Sequence, residues 1–327
     1  MANVTPDGST LQFLHRLDAV QGDQLFVETT RDDLGRATFL DGRERFWGGE
    51  TVRQLTLGER AETGTRRFIF HVGFCGSTLL ARLLGRSTMS LVLKEPQALT
   101  DLASQRAAIV AGQAVTGMDA LLDHALSCLS RAGTDDAPVV IKPSNWANIA
   151  LREICTPGRE VRGVFVSMER RAFVAAVFRG GRDRIAFCAR LCAQISATDA
   201  RWQRALGKAL AASGDPLDQS AHIAALLHAM QERLFTEAMG RVEGMRMDFA
   251  DIVARPADTA DRAAAHLGLD RLPAPAAEAD DLLRQHAKDS SRAFSAAERL
   301  SADAEIERLH GMRFDAALDW LDTHQPI

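Results

Sequence analysis

Residues 68–84 read FIFHVGFCGSTLLARLL, and this stretch constrains the chain more than any other. An apolar run from Phe68 to Val72 stops at Gly73, passes through Phe74-Cys75-Gly76-Ser77-Thr78, and resumes with apolar residues at helical spacing. Strand, glycine turn, hydroxyl pair and helix are the parts of a loop that cradles phosphate with backbone N–H groups at a positive helix end. The NTPase form of that loop is G-x-x-x-x-G-K-[ST], yet no lysine lies between Gly73 and Leu84. Such a loop must borrow its cation from elsewhere. The other reading of these residues is a tight strand-to-helix turn that binds nothing.

The rest of the pattern predicts an α/β fold. Short apolar runs at FIFHV (68–72), SLVLK (90–94), PVVIK (138–142), RGVFVS (162–167) and MRMDF (245–249) alternate with longer helical patterns, as in a mainly parallel sheet built from βαβ units. Residues 1–65 carry short alternating pieces such as DQLFVETT and read as a small β-rich N-terminal extension; residues 66–327 form the main domain. A helical region over about 171–240 includes an insertion around 183–240, and the Pro-rich LPAPAAE (272–278) precedes a last helical stretch.

Composition narrows the function classes. With 46% hydrophobic and 25% charged residues the chain is ordinary globular protein, and its net charge of −4 gives no overall basic field for nucleic acid or an anionic membrane. Five scattered cysteines fit a reducing cytoplasm better than a disulfide framework. The N-terminal residues lack the pattern of a signal peptide, and no apolar run has the length of a membrane span. The histidines form no H-E-x-x-H set, so no metal is expected. Cys188 and Cys192, four apart on an apolar stripe, read as core, and the absence of tyrosine removes that side chain from the chemistry.

Two lysines supply the missing charge. Lys94 ends one strand pattern in LVLKEP and Lys142 ends another in VVIKPSN. Ligands of open α/β sheets bind outside the carboxyl ends of the strands, so both ammonium groups are expected at the edge that holds the glycine loop. Glu95, directly after Lys94, reads from the residues alone as the partner of Lys94 or another cation. Ser144, Asn145 and Asn148 sit near the same edge, as pocket residues or as helix caps. His71 reads as a satisfied histidine, and Cys75, beside a helix N-terminus, has no base to make it a nucleophile.

The segment GFCGSTLL after its strand resembles the 5′-phosphosulfate loop of sulfotransferases. A second segment, MRMDFADIVARPADTADRAAAHLGL (245–269), is similar to another stretch of that family through Phe249, Asp251, Val253, Pro256 and Leu267-Gly268-Leu269. The resemblance covers about residues 66–292. It implies a P-loop NTPase-like three-layer sandwich and sulfuryl transfer from 3′-phosphoadenosine 5′-phosphosulfate (PAPS), without metal, to a hydroxyl or amine of a small-molecule or peptide acceptor. Carried across, Gly73, Phe74, Cys75, Gly76, Ser77 and Thr78 hold the phosphosulfate, with Lys94 nearby. Lys142 neutralises the charge on the bridging oxygen, and Glu95 takes the acceptor's proton. Arg170 and Arg179 match arginines that hold the 3′-phosphate, and Lys288, Ser291 and Arg292 match a loop that closes over the nucleotide. The chain departs from the pattern at Ser167 and Ala175, where the family has arginine and serine, and at Phe74, where it has a basic residue; Arg171, Arg182 and Arg184 offer compensating charge. An ATP-using P-loop kinase or NTPase, and a non-catalytic nucleotide-binding member of the fold, are the alternatives.

Overall fold

A computed structural model describes residues 10–54, 64–133, 137–270, 285–286, 289–293 and 296–324; the side chains of Ser87 and of residues 285–300 lie outside the description. Five strands form a parallel sheet: β4 (Arg66–His71), β5 (Leu91–Lys94), β6 (Val139–Lys142), β7 (Val161–Ser167) and β8 (Glu243–Asp248), in the order β5-β6-β4-β7-β8. All five follow the apolar runs of the sequence, with ends shifted by one or two residues. The loop-bearing strand β4 is central and buried on both faces, which explains its unbroken apolar run. Phe70 stacks between Phe68 and Phe165, each at 5.0 Å.

Helices cover both faces, as the three-layer reading requires. Helix α2 (Ser77–Ser87) packs on β4 and β5, beside α10 (Phe249–Ala254) and α11 (Pro256–Leu267). The opposite layer holds α3 (Gln97–Val110), α4 (Met118–Ser130), a 3₁₀ helix at Asn145–Ala150 and α5 (Leu151–Ile154). It also holds α6 (Arg170–Arg179), α7 (Gly181–Ser196), α8 (Ala200–Ala211) and α9 (Pro216–Met239). The long α9 packs against α6, α7 and α8 and against β7 and β8, and the last helix, α12 (Ala296–His324), lies on α6 and α9.

The N-terminal residues form an antiparallel sheet of β1 (Thr10–Asp18), β2 (Asp23–Thr30) and β3 (Thr51–Gln54), with the short α1 (Arg31–Arg36) after β2. This sheet packs through β1 on α3 and α4, while α1 sits against the edge strand β5. Leu40 closes that edge by donating its N–H to the Lys94 carbonyl at 2.7 Å and accepting from the Gln97 N–H at 3.2 Å. Residues 285–286 and 289–293 form a two-stranded ladder, β9 and β10. Among the described residues, no helix is long and apolar enough to cross a membrane.

Candidate active site

Side-chain amides tie down the end of β4 before the loop begins. The Val72 carbonyl accepts from Asn145 Nδ2 (3.2 Å) and Gln231 Nε2 (3.1 Å), and the His71 carbonyl accepts from Asn148 Nδ2 (3.1 Å). Asn148 also donates to Gln231 Oε1 at 2.9 Å, so the 3₁₀ helix and α9 are cross-linked under the loop. The asparagines therefore position β4, while the cap of the 3₁₀ helix is Ser144. His71 is a satisfied histidine: Nδ1 accepts from the Gly73 N–H (3.1 Å), so Nε2 carries the proton and donates it to the Pro143 carbonyl (3.0 Å). This bond engages the Gly73 N–H within the turn itself.

Gly73 and Gly76 both adopt positive φ, at 93° and 74°. A Cβ on Gly73 would lie 2.8 Å from Asn145 Nδ2, and one on Gly76 would lie 2.8 Å from the Phe249 ring. The second contact joins the two distant segments that carry the sequence resemblance. Gly76 is the N-cap of α2 and supplies no side-chain cap, so the first turn of α2 presents backbone N–H groups beside the buried hydroxyls of Ser77 and Thr78.

A buried ion pair lies next to this loop. Lys142 Nζ donates to Glu95 Oε1 at 2.7 Å, and the other carboxylate oxygen accepts from Arg43 Nη2 at 3.1 Å. Lys142 is 0% exposed and Glu95 9%. The Glu95 N–H also donates to the Lys142 carbonyl at 2.6 Å, locking the ends of β5 and β6 together. Burial pushes the Cys75 thiol up to about 11, and Lys142 is among the influences that pull it back, which marks the ammonium as a neighbour of the loop. At neutral pH Cys75 is a thiol, with Sγ 3.5 Å from the Val166 carbonyl. Among the described residues, two non-glycines have positive φ, Phe74 at 59° and Glu95 at 57°. Such backbone costs roughly 1–3 kcal/mol per residue and concentrates where surrounding structure enforces a functional geometry.

The other predicted residues go elsewhere. Lys94 turns from the loop toward α1, where Nζ donates to the Gly35 carbonyl at 2.7 Å. Desolvation, with the Arg82 guanidinium second, drops its pKa to about 8. The Phe74 ring is half-buried between Phe173, at 6.0 Å, and Arg184, whose guanidinium carbon lies 4.4 Å from the ring centroid. A cation from α7 thus lies over the side chain of the loop's second residue. At the end of β7 the Ser167 hydroxyl donates to Glu232 on α9, and Ala175 is buried. Arg170 pairs with Asp322 (3.3 Å), Arg171 with Glu307 and Asp315, and Arg179 with Asp303, all on α12. Lys288 lies outside the described residues, as do the side chains of Ser291 and Arg292.

The sequence reading missed Arg43 and Gln231. Nothing in the pattern around Arg43 links it to β5. Gln231 had a legible signal, being a polar residue within the apolar ALLHAMQERLF of α9. Cys188 and Cys192 are core residues, their thiols pushed up to about 12 by burial.

No protein-family model and no curated protein matches the sequence. Among solved structures the chain is similar to a sulfotransferase domain from the curacin biosynthetic pathway, at 13% identity over 76% of this chain and 90% of that one. The TM-score is 0.34.

Proposed function

We propose that this chain transfers a sulfuryl group from PAPS to a small acceptor bearing a hydroxyl or amine. The observation that carries the reading is the buried Lys142–Glu95 pair set beside a glycine loop whose helix start has no side-chain cap. In this mechanism the N–H groups from Phe74 to Thr78 and the two hydroxyls bind the phosphosulfate oxygens. Glu95 accepts the proton of the acceptor as its oxygen or nitrogen bonds to sulfur. Lys142 meets the electron pair left on the 5′-phosphate oxygen when the S–O bond breaks. Lys142 has three N–H donors and spends one on Glu95, so it can hold the carboxylate and the leaving oxygen together. Positioning and charge neutralisation of this kind require no covalent intermediate.

The residues fit the phosphosulfate end of the donor better than its 3′-phosphate end. Ser167, Arg170 and Arg179 already have carboxylate partners, and this favours a second reading in which the donor lacks a 3′-phosphate, as ATP does. Thermal unfolding with 3′-phosphoadenosine 5′-phosphate (PAP), AMP or magnesium-ATP separates the two. PAP should stabilise the protein most, by roughly 2.7 kcal/mol at about 100 times its dissociation constant. Equal or greater stabilisation by magnesium-ATP would replace sulfuryl with phosphoryl transfer.

A further inference from the structure

The residue on the exposed side of Glu95 comes from the N-terminal region. Arg43 lies between α1 and β3, in the part of the chain that the sulfotransferase resemblance does not cover. Its segment is clamped to the end of β5 on both sides of Glu95: Leu40 bonds to the Lys94 carbonyl and to the Gln97 N–H. Gly42, at φ 84°, turns the chain back, and a Cβ there would lie 3.3 Å from the His15 ring. Glu44 closes the segment on itself by accepting from the N–H groups of Thr38 (2.5 Å) and Phe39 (3.2 Å). The guanidinium carbon of Arg43 then rests 4.0 Å from the centroid of the buried Phe39 ring. Its Nε donates to Asp41 Oδ2 at 2.5 Å and its Nη2 to Glu95 Oε2 at 3.1 Å.

The two cations on Glu95 differ in their freedom. Lys142, on Oε1, is fully buried, whereas 57% of the Arg43 side chain, on Oε2, is exposed. Asp41 gives Arg43 a second carboxylate, so the guanidinium can leave Glu95 without becoming unpaired. The chemistry asks for such a departure. A carboxylate between two cations is held in its ionised form and is a poor proton acceptor. Lys142 has to stay for the leaving oxygen, and Arg43 occupies the carboxylate oxygen that an incoming acceptor can reach. The O–H or N–H of an acceptor is a hydrogen-bond donor, as Nη2 is, and can replace it on Oε2.

We propose that Arg43 is a positioning residue that guards the base: it holds Glu95 Oε2 until the acceptor's hydroxyl or amine displaces it toward Asp41, and so keeps water from reacting instead. This role rests on the transfer reading above. Without the guard, a water oxygen bonds to sulfur and its proton passes to Glu95. The S–O bond breaks with its electron pair left on the 5′-phosphate oxygen, giving PAP and hydrogen sulfate.

Sulfate release from radiolabelled PAPS by the full chain, with water as the sole acceptor, tests the guard. Arg43→Met should raise the rate about tenfold or more, a part of what a general base supplies. The acid limb of its rate–pH profile should move to higher pH, because the carboxylate has lost one neighbouring cation. Adding Glu95→Gln should abolish the gain. Arg43→Lys, which keeps the charge, should stay near the wild-type rate. Arg43→Gln, neutral but still polar, should share the gain and serves where methionine disturbs folding. Asp41→Asn removes the alternative partner and should keep hydrolysis at or below the wild-type rate, whereas a merely loosened segment would leak in both variants.

Unchanged or slower hydrolysis in the neutral Arg43 variants, with PAP still stabilising them against heat, overturns the guard. A gain that survives Glu95→Gln, or one matched by Asp41→Asn, overturns it too. If magnesium-ATP stabilises the protein in place of PAP, phosphate release from ATP is read in the same variants with the same expectations. Stabilisation by neither nucleotide sinks the transfer reading, and the guard with it.

Discussion

The molecule has two arginine-rich edges that meet their charge in opposite ways. Along β7 and α6, Arg170, Arg171 and Arg179 face Asp303, Glu307, Asp315 and Asp322 of α12, so each cation has a carboxylate. Along β5, Lys94 and Arg31 rest on carbonyl oxygens, and the carboxylate at the adjoining strand ends, Glu95, is shared by Lys142 and Arg43. What separates the two edges is the kind of partner: α12 brings carboxylates to the α6 arginines, whereas Lys94 and Arg31 donate to backbone carbonyls.

Burial separates the edges as well. Removing one partner of a buried pair leaves a desolvated charge and costs about 3–5 kcal/mol, whereas exposed pairs contribute about 0–1 kcal/mol. Lys142→Ala leaves Glu95 with Arg43 alone and should therefore lower unfolding stability by about 3 kcal/mol, the lower end of that range. Lys142→Met with Glu95→Leu, which removes both charges, should recover much of that loss. Arg179→Ala, at a partly exposed bridge, should cost no more than about 1 kcal/mol in the same urea titration. Equal losses at the two sites would erase the contrast. In an assay with a working acceptor, Glu95→Gln should reduce turnover by roughly 10²-fold or more while leaving PAP affinity nearly intact. Full activity in that variant would restrict Glu95 to positioning Lys142.

The α6 edge can be tested by releasing its cations. Asp303→Asn and Asp322→Asn take charge from the partners of Arg179 and Arg170. If those arginines can turn to a 3′-phosphate, PAP should bind about tenfold tighter to the double variant, the gain expected from one charge-assisted contact, with AMP unchanged. No gain would show that α12 closes this edge for structural reasons alone.

A further effect concerns Lys94 and pH. Its pKa falls from 10.5 to about 8 on folding, so between those values the unfolded chain binds more protons than the folded one. Stability should accordingly rise with pH from about 8 to about 10.5, and the contribution is lost as pH falls through about 8. Urea titrations at pH 7 and pH 10 should show this gain in the wild type and lose it in Lys94→Met. Parallel responses would mean that the ammonium is less desolvated than its surroundings imply.

Much of the fold was legible because backbone periodicity is a local property. The five apolar runs became the five strands of the parallel sheet, and the glycine-hydroxyl loop became the turn between β4 and α2. Residues 73–78 and 245–269 were singled out separately in the sequence, and the fold brings them together, with Phe249 where a Gly76 side chain would stand. Lys142 and Glu95 were legible as strand-end residues. Their pairing was not, since strand order decides which ends are neighbours and β6 lies between β5 and β4.

What the chain determined by itself was therefore the elements and the residues at their ends. Tertiary structure alone decided the destination of each charge. Lys94 and Lys142 stand in register on adjacent strands, yet one ammonium reaches α1 and the other reaches Glu95. Arg170 and Arg179 meet a helix that begins more than a hundred residues later. A long cationic side chain takes whichever acceptor the packing brings within about 3 Å, and that choice depends on contacts remote in the chain.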